Sequence, residues 1–172
     1  MQLDFDNMTG PRAHIFPAGC RERNLLFWDT VEPDRPPFEI LEHPADVGFL
    51  ACGATLGELF ANAALAMMSL GWDLETAGES EQREIRAEGD DLESLLYDWL
   101  SDILALVDSE RLILKRFQVN EIGHGAASGT AWGERYDSSR HSARTYIKAV
   151  TLHQFQVRRA DDGWTARVFL DV

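Results

Sequence analysis

Asp171 and Val172 close the sequence, so an aspartate side chain and an α-carboxylate stand next to each other there. Two like charges at that spacing repel unless donors or a cation hold them. Oxygen donors of this kind suit a hard divalent ion, calcium, magnesium or manganese, but two carboxylates make a weak site and a third is wanted. Asp46 supplies it if the first strands pair beside the last one. That residue sits in ILEHPADVGFLA, residues 40–51, where HPAD interrupts two apolar runs. A plain turn explains the same break, since Pro44 fixes φ and an aspartate bonds its own backbone nearby. His43 could position Asp46 through a hydrogen bond.

Other residues invite chemistry less strongly. His43, His141 and His153 with Asp46 suggest a zinc hydrolase, but no pair has the i, i+4 spacing of a helical zinc motif. Lys148 is the one charge in YIKAVTL, and a solvent-facing strand position accounts for most lysines of that kind. Asp98 and Asp102 stand one helical turn apart, as a metal or base pair would, or as any solvated helix face does. No Ser-His-Asp arrangement, nucleophile elbow or phosphate-binding glycine loop is recognisable. The chain does not read as a self-sufficient enzyme.

The elements that must position these residues follow from composition and periodicity. A chain of 172 residues supports one domain with a real core. With 29 acidic and 16 basic residues the net charge is -13, a field that repels polyanions, so tight direct nucleic-acid binding is not expected. Cations or a basic protein partner fit it better. Cys20 and Cys52 are too few for a disulfide framework or a thiolate zinc site, and cytoplasmic residence fits. No run reaches the roughly 20 apolar residues of a membrane span, and the start lacks a signal pattern.

Residues 1–37, rich in Pro, Arg, Asp and Gly, read as an irregular N-terminal extension. Its Leu25, Leu26, Phe27 and Trp28 form a patch that either docks on a partner or folds back on its own domain. The domain itself spans 38–172. FEIL and VGFLAC have strand length. TLGELFANAALAMMSLG opens with Thr55 and Glu58 in capping-box spacing, ends at Gly71, and carries an apolar face. A second helix follows GDD, with Asp90 as cap and Glu93 three residues on. Between Glu88 and Glu110 lie eight acidic side chains and no basic one. REIRAE, RLILKRFQV and GAASGTAWG have strand character. YIKAVTLHQFQVRR and WTARVFLDV flank an ADDG turn, a hairpin. The class expected is α+β, a mainly antiparallel sheet with two amphipathic helices on one face.

Taken together, HPADVGFLACGATLGELFANAALAM, GDDLESLLYDWLSDILAL, IKAVTLHQFQV and the closing GWTARVFLDV resemble the archease family from Phe38 to Val172. The resemblance implies an α+β accessory protein, not an enzyme. Its partner would be a GTP-dependent RtcB-type RNA ligase, whose guanylylation it promotes for repeated turnover in tRNA splicing or RNA repair. It implies a divalent cation, calcium first, with magnesium or manganese as alternatives, held by Asp46, Asp171 and the Val172 carboxylate. It gives Lys148 the part of the family's important lysine and puts Asp98 where the family tends to keep an acid. The sequence departs from the pattern in reading HPAD for HTAD and TLHQF for TYHGL. Two rivals remain: a stand-alone metal-dependent hydrolase using Asp46 with His43 or His153, and a chaperone-like partner of other RNA-modifying enzymes.

Overall fold

In this computed structural model the described residues are 36–42 and 47–172. The expected hairpin between the two closing runs is present as β6 (Ala149–Ala160) and β7 (Gly163–Asp171). Asp161 and Asp162 form the two-residue turn, and Gly163 leaves it at φ +146°, a conformation that favours glycine. On β7, Ala166, Val168 and Leu170 face the core as the alternation requires.

β1 (Phe38–Glu42) and β2 (Val47–Gly53) join this hairpin in a four-stranded antiparallel sheet of order β1-β2-β7-β6. Val47 pairs with Leu170, which brings the beginning of the domain to its end. A second sheet, of order β3-β5-β4, comprises β3 (Glu81–Glu88), β4 (Leu112–Gly123) and β5 (Ala126–Arg135). The strands thus divide between two antiparallel sheets, and the helices bridge them. α1 (Leu56–Gly71) packs on β2 of the first sheet and β4 of the second, while α2 (Leu92–Glu110) packs on β6 and β3.

Both helices are capped, with adjustments to the sequence expectation. The Thr55 hydroxyl accepts from Glu58 N–H at 3.1 Å, and the Glu58 carboxylate reaches back to Ala54 N–H at 2.8 Å. At α2 the cap is Asp91 rather than Asp90, and Ser94 rather than Glu93 closes the reciprocal box. A serine hydroxyl both donates and accepts, so it completes the pair at shorter reach than a glutamate.

The two layers meet at Trp99, which is fully buried on α2. Its indole N–H donates to the Phe60 carbonyl of α1 at 3.2 Å. Its far edge lies on Gly129 of β5, where a Cβ would come within 2.6 Å of the ring. The Gly-rich strand therefore makes room for the indole.

Helix α2 also settles the backbone of both neighbouring sheet edges. Glu93 accepts from Val157 N–H of β6 at 3.2 Å, and Asp98 from Glu88 N–H of β3 at 2.9 Å. Asp102 accepts from Arg86 N–H, two residues further along β3. The acidic run of α2 is thus largely a set of acceptors for strand amides. No helix among the described residues is long and apolar enough to cross a membrane.

Candidate functional site

Three of the expected site residues converge where β7 ends. Lys148 precedes β6 by one residue, and its N–H donates to the Asp171 carbonyl at 2.8 Å, so the pairing of β6 with β7 extends beyond the strand. This fixes the direction of the lysine side chain. Its ammonium donates to the Val172 main-chain oxygen at 2.8 Å and lies 3.6 Å from Asp171 Oδ1. Lys148 and Asp171 are about half exposed, at 54 % and 57 %, so the ion pair itself adds only ~0–1 kcal/mol. Strand pairing, not the charges, assembles the cluster.

His43 and Asp46 lie outside the described residues. Their neighbour Val47 is described, and its pairing with Leu170 puts the residue after the HPAD motif beside the residue before Asp171. The donor chemistry on the described side, a carboxylate and a main-chain oxygen, is the hard-oxygen type that a divalent cation takes. Lys148 already donates to the Val172 oxygen and pairs with Asp171 at 3.6 Å, so a cation there shares or displaces those contacts. Among the described residues alone, no group of three or more His, Cys, Asp or Glu is placed to hold a metal.

Three residues after Lys148 the strand becomes irregular. Between the pairs Thr151–Phe169 and Gln156–Arg167, four residues of β6 face one of β7, and Gln154 takes φ +49°. The bulge turns Leu152 into solvent, where it is 69 % exposed, and Tyr146 is 68 % exposed on the other side of Lys148. His153 instead packs its ring against Phe169, 5.9 Å between centroids.

Asp98 and His141 are engaged elsewhere. Asp98, with Glu88 N–H, belongs to the α2–β3 contact. Burial raises the Asp102 carboxyl above its ordinary value, the Arg86 N–H opposes this, and the charge of Asp98 adds to the rise. Asp98→Ala is therefore expected to destabilise the fold by about 0.5–1.5 kcal/mol through a lost hydrogen bond to β3. Asp102→Asn, which keeps an acceptor and removes a repelled charge, is expected to be neutral or stabilising at neutral pH. Urea unfolding of the two variants checks the pair, and the reverse order of stabilities would refute the assignment.

His141, placed by the sequence in a polar loop, is buried. Its Nδ1 accepts from Asp137 N–H at 2.9 Å, which puts the ring proton on Nε2, facing Glu134 Oε1 at 2.8 Å. Glu134 also accepts from Gly78 N–H and Arg140 at 2.6 Å each. The Gly78 N–H first, then His141, with the charge of Arg140 adding, holds the Glu134 carboxyl below the usual carboxylate range. A depressed folded value means that the ionised form favours folding: the contribution is complete above the ordinary glutamate pKa and is lost as pH falls through the folded one. Glu134→Gln is expected to flatten the fall of the melting temperature with acidity, and an unchanged slope would exclude this source. Sequence reasoning missed this pairing because nothing in the spacing ties residue 134 to residues 78 and 141.

The comparisons with known proteins agree with this architecture. Residues 38–172 match the model of the Archease protein family (MTH1598/TM1083). The chain is 42% identical over 139 residues to protein archease of Methanosarcina mazei, covering 78% of this chain and 95% of that protein. It is 36% identical over 136 residues to protein archease of Sulfurisphaera tokodaii, covering 78% and 98%. The solution structure of Methanobacterium thermoautotrophicum protein 1598 superposes with TM-score 0.72 at 36% identity, over 80% of this chain and 99% of that one. A Thermotoga maritima crystal structure, described as an archease and possible chaperone, has TM-score 0.56 at 20% identity, over 77% of this chain and 94% of that one, a likeness of fold. The match of nearly the whole described chain to the family model, with relatives well above 30% identity over most of their own length, shows that the chain belongs to the archease family.

Proposed function

We propose that this protein is an accessory factor of a GTP-dependent RtcB-type RNA ligase, which it helps to become guanylylated and so to turn over repeatedly in tRNA splicing or RNA repair. The observation that carries the reading is the meeting of Lys148, Asp171 and Val172 at one exposed corner. An exposed cation beside two anionic groups, flanked by Tyr146 and Leu152 in solvent, suits an encounter with another macromolecule better than an enclosed active site.

In this reading Asp46, Asp171 and the Val172 carboxylate hold a divalent cation, calcium in the first place, with magnesium or manganese as alternatives. Bound there, the ion supplies electrostatic stabilisation of phosphate charge. The chain's own residues do the rest. Pairing of β2 with β7 brings Val47, the residue after Asp46, beside Leu170, the Lys148 N–H bond to Asp171 orients the end of the chain, and the Lys148 ammonium offers a donor to an incoming phosphate oxygen. The work would be done in the cytoplasm, without tight RNA binding by the protein itself, consistent with its charge of -13.

The deciding experiment is multiple-turnover guanylylation of a ligase from the same source by GTP, with this protein at substoichiometric concentration. Acceleration is expected. A flat response would refute the reading, and chelator-sensitive phosphatase or nuclease activity without any ligase would favour the hydrolase instead.

A further inference from the structure

The register that brings Lys148 to Val172 is not inherited from the closing hairpin. The ADDG turn fixes the pairing of Gln156–Ala160 with β7, but the bulge stands between that stretch and Ala149–Thr151, which make three pairs of their own with Phe169–Asp171. From within, the buried Val150 and the Thr151 hydroxyl, which donates to the Phe169 carbonyl at 3.1 Å, hold these three pairs. A slip by one residue would turn every side chain of the stretch to the other face and carry Lys148 away from the end of the chain. So short a stretch, cut off from the turn, takes its register from what holds it on the N-terminal side.

On that side residues 136–148 carry the chain from β5 of one sheet to β6 of the other, across the C-terminal end of α1. Asp73 N–H donates to the Ser142 carbonyl at 3.1 Å, Trp72 pairs with Ala143, and Arg144 N–H donates to the Gly71 carbonyl at 2.8 Å. The Arg144 guanidinium donates to the Ser69 carbonyl and to Asp73 Oδ1, each at 3.3 Å. Helix α1 has no basic residue in its last turn, and its final carbonyls want donors and a positive charge. Arg144 supplies both from 73 residues beyond the helix end, since its main chain takes one of those carbonyls and its side chain another. Thr145 and Ile147 then lie over Gly71, within 3.5 and 3.6 Å of where a Cβ would stand, and Lys148 follows directly.

We propose that Arg144 is a positioning residue: by fastening this crossing to the end of α1 it holds Lys148 in the one register in which its ammonium meets Val172. Arg144 touches neither the cation ligands nor Lys148 itself, and it acts through the four residues between. The functional side of the proposal rests on the ligase reading, and the positional side does not.

Amide hydrogen exchange in the full-length protein tests the position. It is read at Lys148 and at Val157, which lies beyond the bulge and donates to Glu93. In Arg144→Ala the Lys148 N–H is expected to exchange roughly tenfold faster than in the wild type, with Val157 changed by less than about twofold. Arg144→Lys keeps a cation and a donor for the Ser69 carbonyl and should recover most of the difference. Equal acceleration at both amides would mark a general loss of stability and overturn the proposal, as would no acceleration at Lys148. In the ligase assay, stimulation should fall in Arg144→Ala and return in Arg144→Lys. Full stimulation despite a loosened Lys148 would overturn the functional side. A wild type that stimulates no ligase would refute the ligase reading, with the exchange result alone deciding the position.

Discussion

Asp171→Ala is expected to cut stimulation of the ligase by roughly 100-fold or more, since even indirect partners of a metal commonly cost 10–100-fold and this residue is proposed to hold the ion itself. Stability should hardly move, within about 0.5 kcal/mol, because the side chain is 57 % exposed and its backbone pairing with Lys148 is kept. Calcium titration followed by calorimetry should show the same loss, and added calcium at high concentration should restore part of the stimulation. Lys148→Ala separates the two halves of the site: cation binding persists while stimulation falls. Full stimulation by Asp171→Ala would sink the metal assignment, and full stimulation by Lys148→Ala would reduce that lysine to a partner of the chain's end.

Trp99→Ala should have the largest effect on stability, about 3–5 kcal/mol, in line with deletion of a fully buried large side chain. The loss combines the cavity with the indole N–H bond to the Phe60 carbonyl, and it falls where α1, α2 and β5 meet. A marginally stable domain has about 5–15 kcal/mol in total, so the variant is expected to unfold at much lower urea, with an unchanged m-value. Trp99→Phe, which keeps most of the volume and loses only the N–H bond, should cost much less. Similar midpoints for the alanine and phenylalanine variants would show that packing at Gly129 is not what holds the layers together.

The features legible in the sequence were those set by neighbours along the chain. Helical spacing from Leu56 to Met67, the Thr55 cap and the ADDG turn are local, and each is where the sequence puts it. The cap of α2 falls one residue later than expected because Asp90 and Asp91 each satisfy the rule and only Ser94's reach decides. Division of the strands between two sheets was illegible, since alternation shows that a strand has a buried face and not which strand it meets. Lys148 stands out in the sequence as an unusual charge, but its contact with Val172 spans 24 residues and depends on β6 pairing with β7. The bulge at 152–155 and the burial of His141 against Glu134 left no local trace at all. The placement of Asp46 lies outside the described residues, so that part of the site rests on the register of Val47 and on the family motif.

The acceptors that α2 lends to β3 and β6 bear on how the molecule behaves in a crowd. A sheet border with unpaired N–H groups is a template on which a strand from another molecule can grow, the first step towards a fibre. Here the borders are occupied by Glu93, Asp98 and Asp102, whose charges also repel the next copy. The run of acids that reads like an invitation to a basic partner serves, at these three positions, to keep two sheets from becoming one endless one.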